Sequence, residues 1–159
     1  GAPAWLPGPN LLFTVAGLVG VAISVAGNET AQRLGRARMV AWAMGVGAVF
    51  SVAAGFSLLV SAPLAALCVL VWNAAIYLDS AALTAGTVAA AERDRRGATM
   101  GLHSMCGYAG GFVGPVAVGM ALDLAGAEAV LGWVLGFGQI ALVTLAGLWA
   151  VRRLGRATP

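Results

Sequence analysis

The alternation of apolar and polar positions divides the chain into five long apolar stretches that are separated by short polar segments. Each stretch is long enough, as a helix rising about 1.5 Å per residue, to cross a hydrocarbon core of ~30 Å. The pattern therefore predicts an all-α integral membrane protein with five transmembrane helices. The predicted spans cover residues 11–27, 39–55, 64–90, 98–122 and 129–151.

Composition supports a membrane protein, and no sequence motif indicates an enzyme. Of the 159 residues, 60% are hydrophobic and only 9% are charged, whereas soluble domains carry about 25% charged residues. Cys68 and Cys106 both lie in apolar stretches and lack metal-ligand or disulfide spacing, so we interpret them as free thiols. The sequence has no P-loop, nucleophile–base pair or cofactor fingerprint, and we expect no cofactor, no metal and no enzymatic chemistry.

The basic residues indicate how the predicted spans are oriented. All nine are arginines, and they follow the first, third and fifth spans, so that alternating spans bring them to one side. The opposite side carries only Asp123 and Glu128. The positive-inside rule then predicts the N-terminus outside and the C-terminus inside. This placement of the arginines accounts for the net charge of +3. We therefore expect a lipid bilayer as the partner of the chain, and no nucleic acid. The clusters are Arg33, Arg36 and Arg38; Arg93, Arg95 and Arg96; and Arg152, Arg153 and Arg156.

A carboxylate, Asp79, lies near the middle of the third span. An ionised Asp at that depth costs about 2.5–3.5 kcal/mol on insertion scales, so it should face the bundle interior or a wet cavity, or be protonated. One hypothesis makes Asp79 a proton or cation site, or a partner for a cationic substrate. The alternative is an interior polar lock paired with a hydroxyl or an arginine.

Other polar residues share the third span with Asp79. Asn73, Tyr77, Ser80 and Thr84 follow helical spacing and form one polar stripe, and Asp79 lies about 100° from Ser80, beside that stripe. We interpret the stripe as a cavity lining. Trp72 is deep enough in the same span to face another helix or a cavity. The candidate residues for substrate or a coupling ion, possible protons included, are Asp79, Asn73, Tyr77, Ser80 and Gln139.

Two further intramembrane polar residues have more than one interpretation. His103 is the only histidine, and near the end of its span it suits a satisfied interfacial group better than a proton-coupling group. Gln139, midway along the fifth span, is expected either to hydrogen-bond across helices or to contact substrate.

Two charged loops are candidate gating elements. The first, from Gly27 to Arg38, contains a tight turn at Arg33, Gly35 and Arg36, where glycine tolerates a positive φ. The other, Ala91–Gly97, mixes acids and bases, so Glu92 and Asp94 are expected to pair with other arginines of the same side, Arg96 among the candidates. A topology anchor and a solvated charged turn are the simpler interpretations of the two loops.

The fourth span combines glycine rows with an internal proline. Gly107 and Gly111, and likewise Gly110 and Gly114, are four residues apart, a spacing that lets a second helix backbone approach closely. Pro115 removes the helix hydrogen bond to the Gly111 carbonyl. The pattern predicts a kinked or flexible helix that packs tightly along one side, either as a structural helix or as a gate.

The order of these motifs resembles the C-terminal half of a major facilitator superfamily transporter. The resemblance rests on R-L-G-R at 33–36, R-D-R-R-G at 93–97, and Y-A-G-G-F-V-G-P followed by spaced glycine and aspartate at 108–123. The R-L-G-R turn is similar to the family's motif A, with Gln32 in place of the acid and Ala37 in place of the final base. The resemblance would make the five spans helices eight to twelve of a twelve-helix protein.

The resemblance implies a fold and an activity. The chain would be part of a six-helix C-terminal bundle, with a missing N-terminal bundle as its partner and a small-molecule substrate moved by alternating access. The chain alone would then be inactive, and the full protein would reside in a bacterial inner membrane. The alternatives are a complete small membrane subunit with a scaffolding role and, with His103 and Asp79 as its only support, an intramembrane enzyme.

Overall fold

A computed structural model of the protein describes residues 8–126 and 129–154. Within these residues the chain forms five α-helices and no strand, which confirms the predicted all-helical class. All five helices are long and apolar enough to cross a membrane. Glu128 and Arg156 of the predicted charge pattern lie outside the described residues. The helices are α1 (Pro9–Leu34), α2 (Arg36–Ser57), α3 (Ala62–Ala90), α4 (Arg96–Ala125) and α5 (Val130–Leu154).

The first predicted loop is mostly helical. α1 continues past Gly27 as far as Leu34, and α2 begins at Arg36, so a single residue, Gly35, connects two long helices. α1 extends beyond the predicted span, which ends at Gly27, because the apolar pattern indicates where the lipid ends, whereas a helix continues until a residue breaks its backbone pattern. Glu29 and Arg33, one turn apart in this polar extension, form an ion pair at 2.9 Å.

Gly35 makes the turn between α1 and α2 through a backbone conformation that other residues avoid. Its φ is 90° and its ψ is 130°, so a side chain at this position would be strained. Its N–H donates to the Ala31 carbonyl at 3.0 Å, and its carbonyl accepts from the Met39 N–H at 3.0 Å. The turn therefore uses the positive φ that the sequence predicted for this glycine.

The helices pack in an order that differs from their order in the chain. α3 lies between α1 and α2, and α2 also packs along α5. α4 contacts α5 and, to a smaller extent, α3, while within residues 8–126 and 129–154 it does not touch α1 or α2. Neighbouring helices run in opposite directions, except for α1 and α3, which run in parallel.

This topology brings the arginine clusters to one end of the bundle. Arg36, at the start of α2, lies beside Gly86, near the end of α3. Arg38 and Arg152, from the start of α2 and the end of α5, line one groove. Arg95 lies between α3 and α4 at that end. The structure thus separates an arginine end from an opposite end, where Asp123 is exposed.

Small residues permit the closest helix approaches. A Cβ at Gly27 of α1 would overlap the backbone carbonyl of Leu78 in α3, so the two backbones nearly touch there. Between α2 and α3, a Cβ at Gly47 would lie 3.7 Å from the Ala75 Cβ. Near the arginine end, Ala31, Met39, Val40 and Ala82 form a buried cluster. Lipid supplies no hydrophobic drive for helices to associate, so such close packing is the main source of stability for these interfaces.

Candidate intramembrane polar site

Asp79 faces a small cavity inside the bundle rather than the lipid. The cavity, about 120 Å³ in volume, lies between α2, α3 and α5. At ~30 Å³ per molecule of liquid water, it has room for a few waters or for a small cation. Its lining residues are Ala43, Met44, Gly47, Trp72, Ala75, Ile76, Asp79 and Thr144.

Helical spacing and small neighbours place Asp79 on the inner face of α3. Ala75 and Ala82, four residues before Asp79 and three after it, are both buried. Gly47 on α2 leaves space opposite this face because it has no side chain. The inner packing face of α3 therefore carries the carboxylate, as expected if a charge in a span turns away from lipid.

The cavity presents oxygen acceptors from two helices. Thr144 on α5 donates its hydroxyl proton to the Ile140 carbonyl at 2.8 Å, so the lone pairs of its oxygen are what it can offer to the cavity. The Asp79 carboxylate is also an acceptor when it is ionised. Within residues 8–126 and 129–154, no arginine comes within ion-pair distance of Asp79. An ionised carboxylate can accept a proton, and the two side chains together could supply oxygen ligands to part of the shell of a small cation.

A larger apolar groove borders this cavity. The groove, about 730 Å³ in volume, runs between α3, α4 and α5, and Trp72 and Ile76 line both spaces. The Trp72 ring meets the Phe137 ring edge-on, with centroids 5.5 Å apart. Trp72 and Ile76 therefore lie where the apolar groove borders the cavity of Asp79.

The predicted polar stripe of α3 does not line one cavity. Asn73 donates to the Ala16 carbonyl of α1 at 3.4 Å, and the Tyr77 ring packs against the backbone of α1 at Gly20. Ser80 is exposed. The interpretation of the stripe as a cavity wall was wrong for Asn73 and Tyr77, because that face of α3 is covered by α1.

The far end of the stripe meets α4 at His103. The His103 Nε2 lies 3.4 Å from the Thr84 hydroxyl, and its Nδ1 lies 3.4 Å from the Thr87 hydroxyl. Each hydroxyl donates its own proton to a backbone carbonyl one turn earlier, at 3.0 Å. Both threonines are thus acceptors toward the ring, so a doubly protonated ring can donate to both and a neutral ring to only one. His103 is a bridge between helices, as its interfacial interpretation expects.

The amide nitrogen of Gln139 is buried without a visible partner in the described chain. Its Nε2 finds no hydrogen bond in the part of the chain that the structure describes, and the same holds for the Oδ1 of Asn28 in α1. Gln139 does not line the cavity of Asp79. The structure therefore does not bring Gln139 together with Asp79.

The acids of the second charged loop pair with an arginine of the same loop. Glu92 and Asp94 lie 3.5 Å and 4.0 Å from Arg95 of the same loop, and all three side chains are more than 70% exposed. Within the described residues both acids pair only with Arg95, so the expectation that they reach arginines outside this loop was wrong. Exposed pairs of this kind contribute about 0–1 kcal/mol. Arg96 begins α4.

Within the described residues, the glycine rows of α4 have no helix packed against them. A Cβ added at Gly107, Gly110, Gly111 or Gly114 meets nothing within 4 Å in the described chain. The helix itself runs on without a break through Pro115. The tight packing predicted for this face is not formed inside residues 8–126 and 129–154, because α5 contacts α4 through Val118 and Leu122 instead.

Thr144 and Thr87 are site residues that the sequence analysis missed. Thr144 lies in an apolar stretch with no periodic polar neighbours, and only the packing of α5 on α3 brings it to Asp79. Thr87 follows Thr84 by three residues and could have been added to the stripe from spacing alone.

Comparisons with protein-family models, curated proteins and solved structures return no match for the chain.

Proposed function

We propose that the chain forms part of a secondary transporter that moves a small molecule across a membrane by alternating access. The observation that carries this proposal is the position of Asp79 in a small cavity that shares two lining residues, Trp72 and Ile76, with a large apolar groove. Intramembrane carboxylates are costly and commonly mark ion or substrate pathways. The groove supplies an apolar surface for substrate, and the acceptors of the cavity supply a site for the coupling ion.

The proposal assigns a role to each part of the site. Asp79, with Thr144, binds a proton or another small cation, and the groove beside Gly110 and Gly114 receives the substrate. Rotation of Trp72 or Ile76 would connect the two spaces. By the positive-inside rule, the arginine end faces the cytoplasm, in a bacterial inner membrane.

The proposal places further helices of a major facilitator-type bundle around this chain. The groove is open along one side, and α4 has no buried residue in the structure. A substrate bound there would remain exposed to lipid unless another part of the transporter covered it. We therefore expect residues 1–159 alone to be inactive in transport.

Accessibility from both sides of the membrane tests this function without knowledge of the substrate. In the full-length protein with Cys68→Ala and Cys106→Ala, a Gly110→Cys thiol faces the groove in open space. Alternating access predicts that a membrane-impermeant maleimide labels it in both right-side-out and inside-out vesicles. Labelling from one side only, under all conditions, would reject the transporter.

The role of Asp79 is tested in the same background. If Asp79 binds a coupling proton, the balance of labelling between the two sides shifts with pH, and Asp79→Asn removes the shift. Asp123→Asn, which changes an exposed carboxylate at the opposite end, is the matched control and should retain it. A pH response that persists in Asp79→Asn would assign the carboxylate to a structural role.

A scaffolding membrane subunit is the second candidate. The bare glycine face of α4 favours it, since such a face suits close packing against a helix of another protein. It differs from the transporter in the labelling experiment, because a scaffold keeps Gly110→Cys covered on both sides when its partner is bound.

A further inference from the structure

A second groove lies on the outside of the bundle, between α2 and α5 at the arginine end. Its volume is about 560 Å³. Arg38, Trp42, Gly45 and Val49 follow one another at helical spacing along a single face of α2, and Arg152 comes from the last turn of α5. We call this surface the α2–α5 groove. The full lining is Arg38, Ala41, Trp42, Gly45, Val46, Val49, Phe50 and Arg152.

The charged mouth of the groove has two guanidinium groups and no acid. Within the described ranges, neither Arg38 nor Arg152 lies within ion-pair distance of a carboxylate. The neighbouring Arg153 differs, because its guanidinium lies over the Trp149 ring at 5.0 Å from the centroid. Two exposed guanidinium groups from different helices can share one anion, for which their planar donors are well suited.

The rest of the groove is apolar and has the length of a lipid chain. From Arg38 to Phe50 the α2 helix rises roughly 18 Å, which is close to half of a hydrocarbon core of ~30 Å. Gly45 has no side chain, so the groove is deeper at this position. Its apolar walls are formed by Val46, Val49 and Phe50. Trp42, 72% exposed, lies one turn below Arg38, a depth typical of the interfacial aromatic belt.

From these features we propose that the α2–α5 groove binds an anionic phospholipid. Arg38 and Arg152 bind the headgroup phosphate, Trp42 lies at the level of the glycerol region, and one acyl chain extends along Gly45 and Val49. Basic pockets between transmembrane helices are a recognised class of site for anionic headgroups. A purely apolar helix of another protein would fit the apolar part but would leave the two guanidinium groups without a counter-charge.

Lipid retention by the purified full-length protein tests this site. Native mass spectrometry compares bound phosphatidylglycerol with phosphatidylcholine of the same chains, and inorganic phosphate serves as a headgroup-only probe. We expect phosphatidylglycerol to be retained and the other two not. An arginine that contacts an anionic headgroup contributes about fivefold in affinity, so Arg38→Gln and Arg152→Gln should each weaken retention about that much, with a larger loss in the double variant.

Matched variants separate binding from general charge. Arg153→Gln removes the same charge from the adjacent position and should leave retention unchanged. Val49→Trp fills the apolar part, keeps both arginines and should abolish retention. Three results would each overturn the proposal. Phosphatidylcholine could be retained as well as phosphatidylglycerol, or Arg153→Gln could lose as much retention as Arg38→Gln. The third result is binding of inorganic phosphate with no retention of either lipid.

Discussion

Two glycine-rich faces of this molecule have similar spacing and different surroundings. On α1, Gly20 and Gly27 lie against Tyr77 and the backbone of Leu78. On α4, Gly107, Gly111 and Gly114 meet nothing within 4 Å in the described chain. The comparison shows that small-residue spacing permits a close approach but does not specify the partner. The partner is decided by which helices the topology places side by side.

The largest expected difference between the two faces comes from adding one methyl group to each. Gly27→Ala should lower the free energy of unfolding by about 2–3 kcal/mol, because its Cβ overlaps backbone that cannot move aside. Gly110→Ala should be neutral or stabilising by up to ~1 kcal/mol, as for alanine in an open helix position. Thermal unfolding of the full-length protein in detergent measures both.

The result for Gly110→Ala also shows whether the α4 face contacts another helix. A loss similar to that of Gly27→Ala would mean that the α4 face contacts a helix beyond the described residues. A loss confined to Gly27→Ala would leave α4 open to lipid or to the groove.

A smaller effect is expected where α2 meets α5. Ser51 is fully buried and its hydroxyl donates to the Phe137 carbonyl at 2.8 Å. Ser51→Ala should cost about 1 kcal/mol through the lost hydrogen bond. Thr14→Ala, on the lipid-facing part of α1, removes an exposed hydroxyl bond and is the control. Equal melting temperatures for the two variants would show that the Ser51 bond adds no stability.

The bridge between α3 and α4 should be weaker still. His103→Ala removes the contacts to Thr84 and Thr87, and each interhelical hydrogen bond lost in a membrane costs on average about 0.6 kcal/mol. Because α4 has few other contacts with α3, we expect a broader distribution of distances between the two helices at the arginine end. Spin-label distances between the two helices measure this, and an unchanged distance would show that α5 alone positions α4.

The exposed loop at 91–95 should give the smallest effect. Glu92→Gln and Asp94→Asn each remove one exposed ion pair with Arg95. We expect a change in unfolding free energy below about 0.5 kcal/mol, with a further decrease in added salt. A larger change in either variant would mean that the acid also contacts residues outside this loop.

Much of the fold could be predicted from the apolar pattern, and the candidate site only in part. Five helices and their alternation follow from segment length and from the arginine positions. The inward orientation of Asp79 follows from the cost of a charge in lipid. Thr144 could not be assigned to Asp79 from the chain, because no local rule says which face of α5 meets α3.

The sequence by itself determined that the chain is helical, apolar enough to span a membrane and basic at one end, because these properties depend on local composition and spacing. The tertiary structure alone decided that Asn73 and Tyr77 pack on α1, that Asp79 shares a cavity with Thr144, and that Arg38 and Arg152 line one groove. Those pairings join residues far apart in the chain. They depend on which helix neighbours which, and the periodicity of a single helix carries no record of its neighbours.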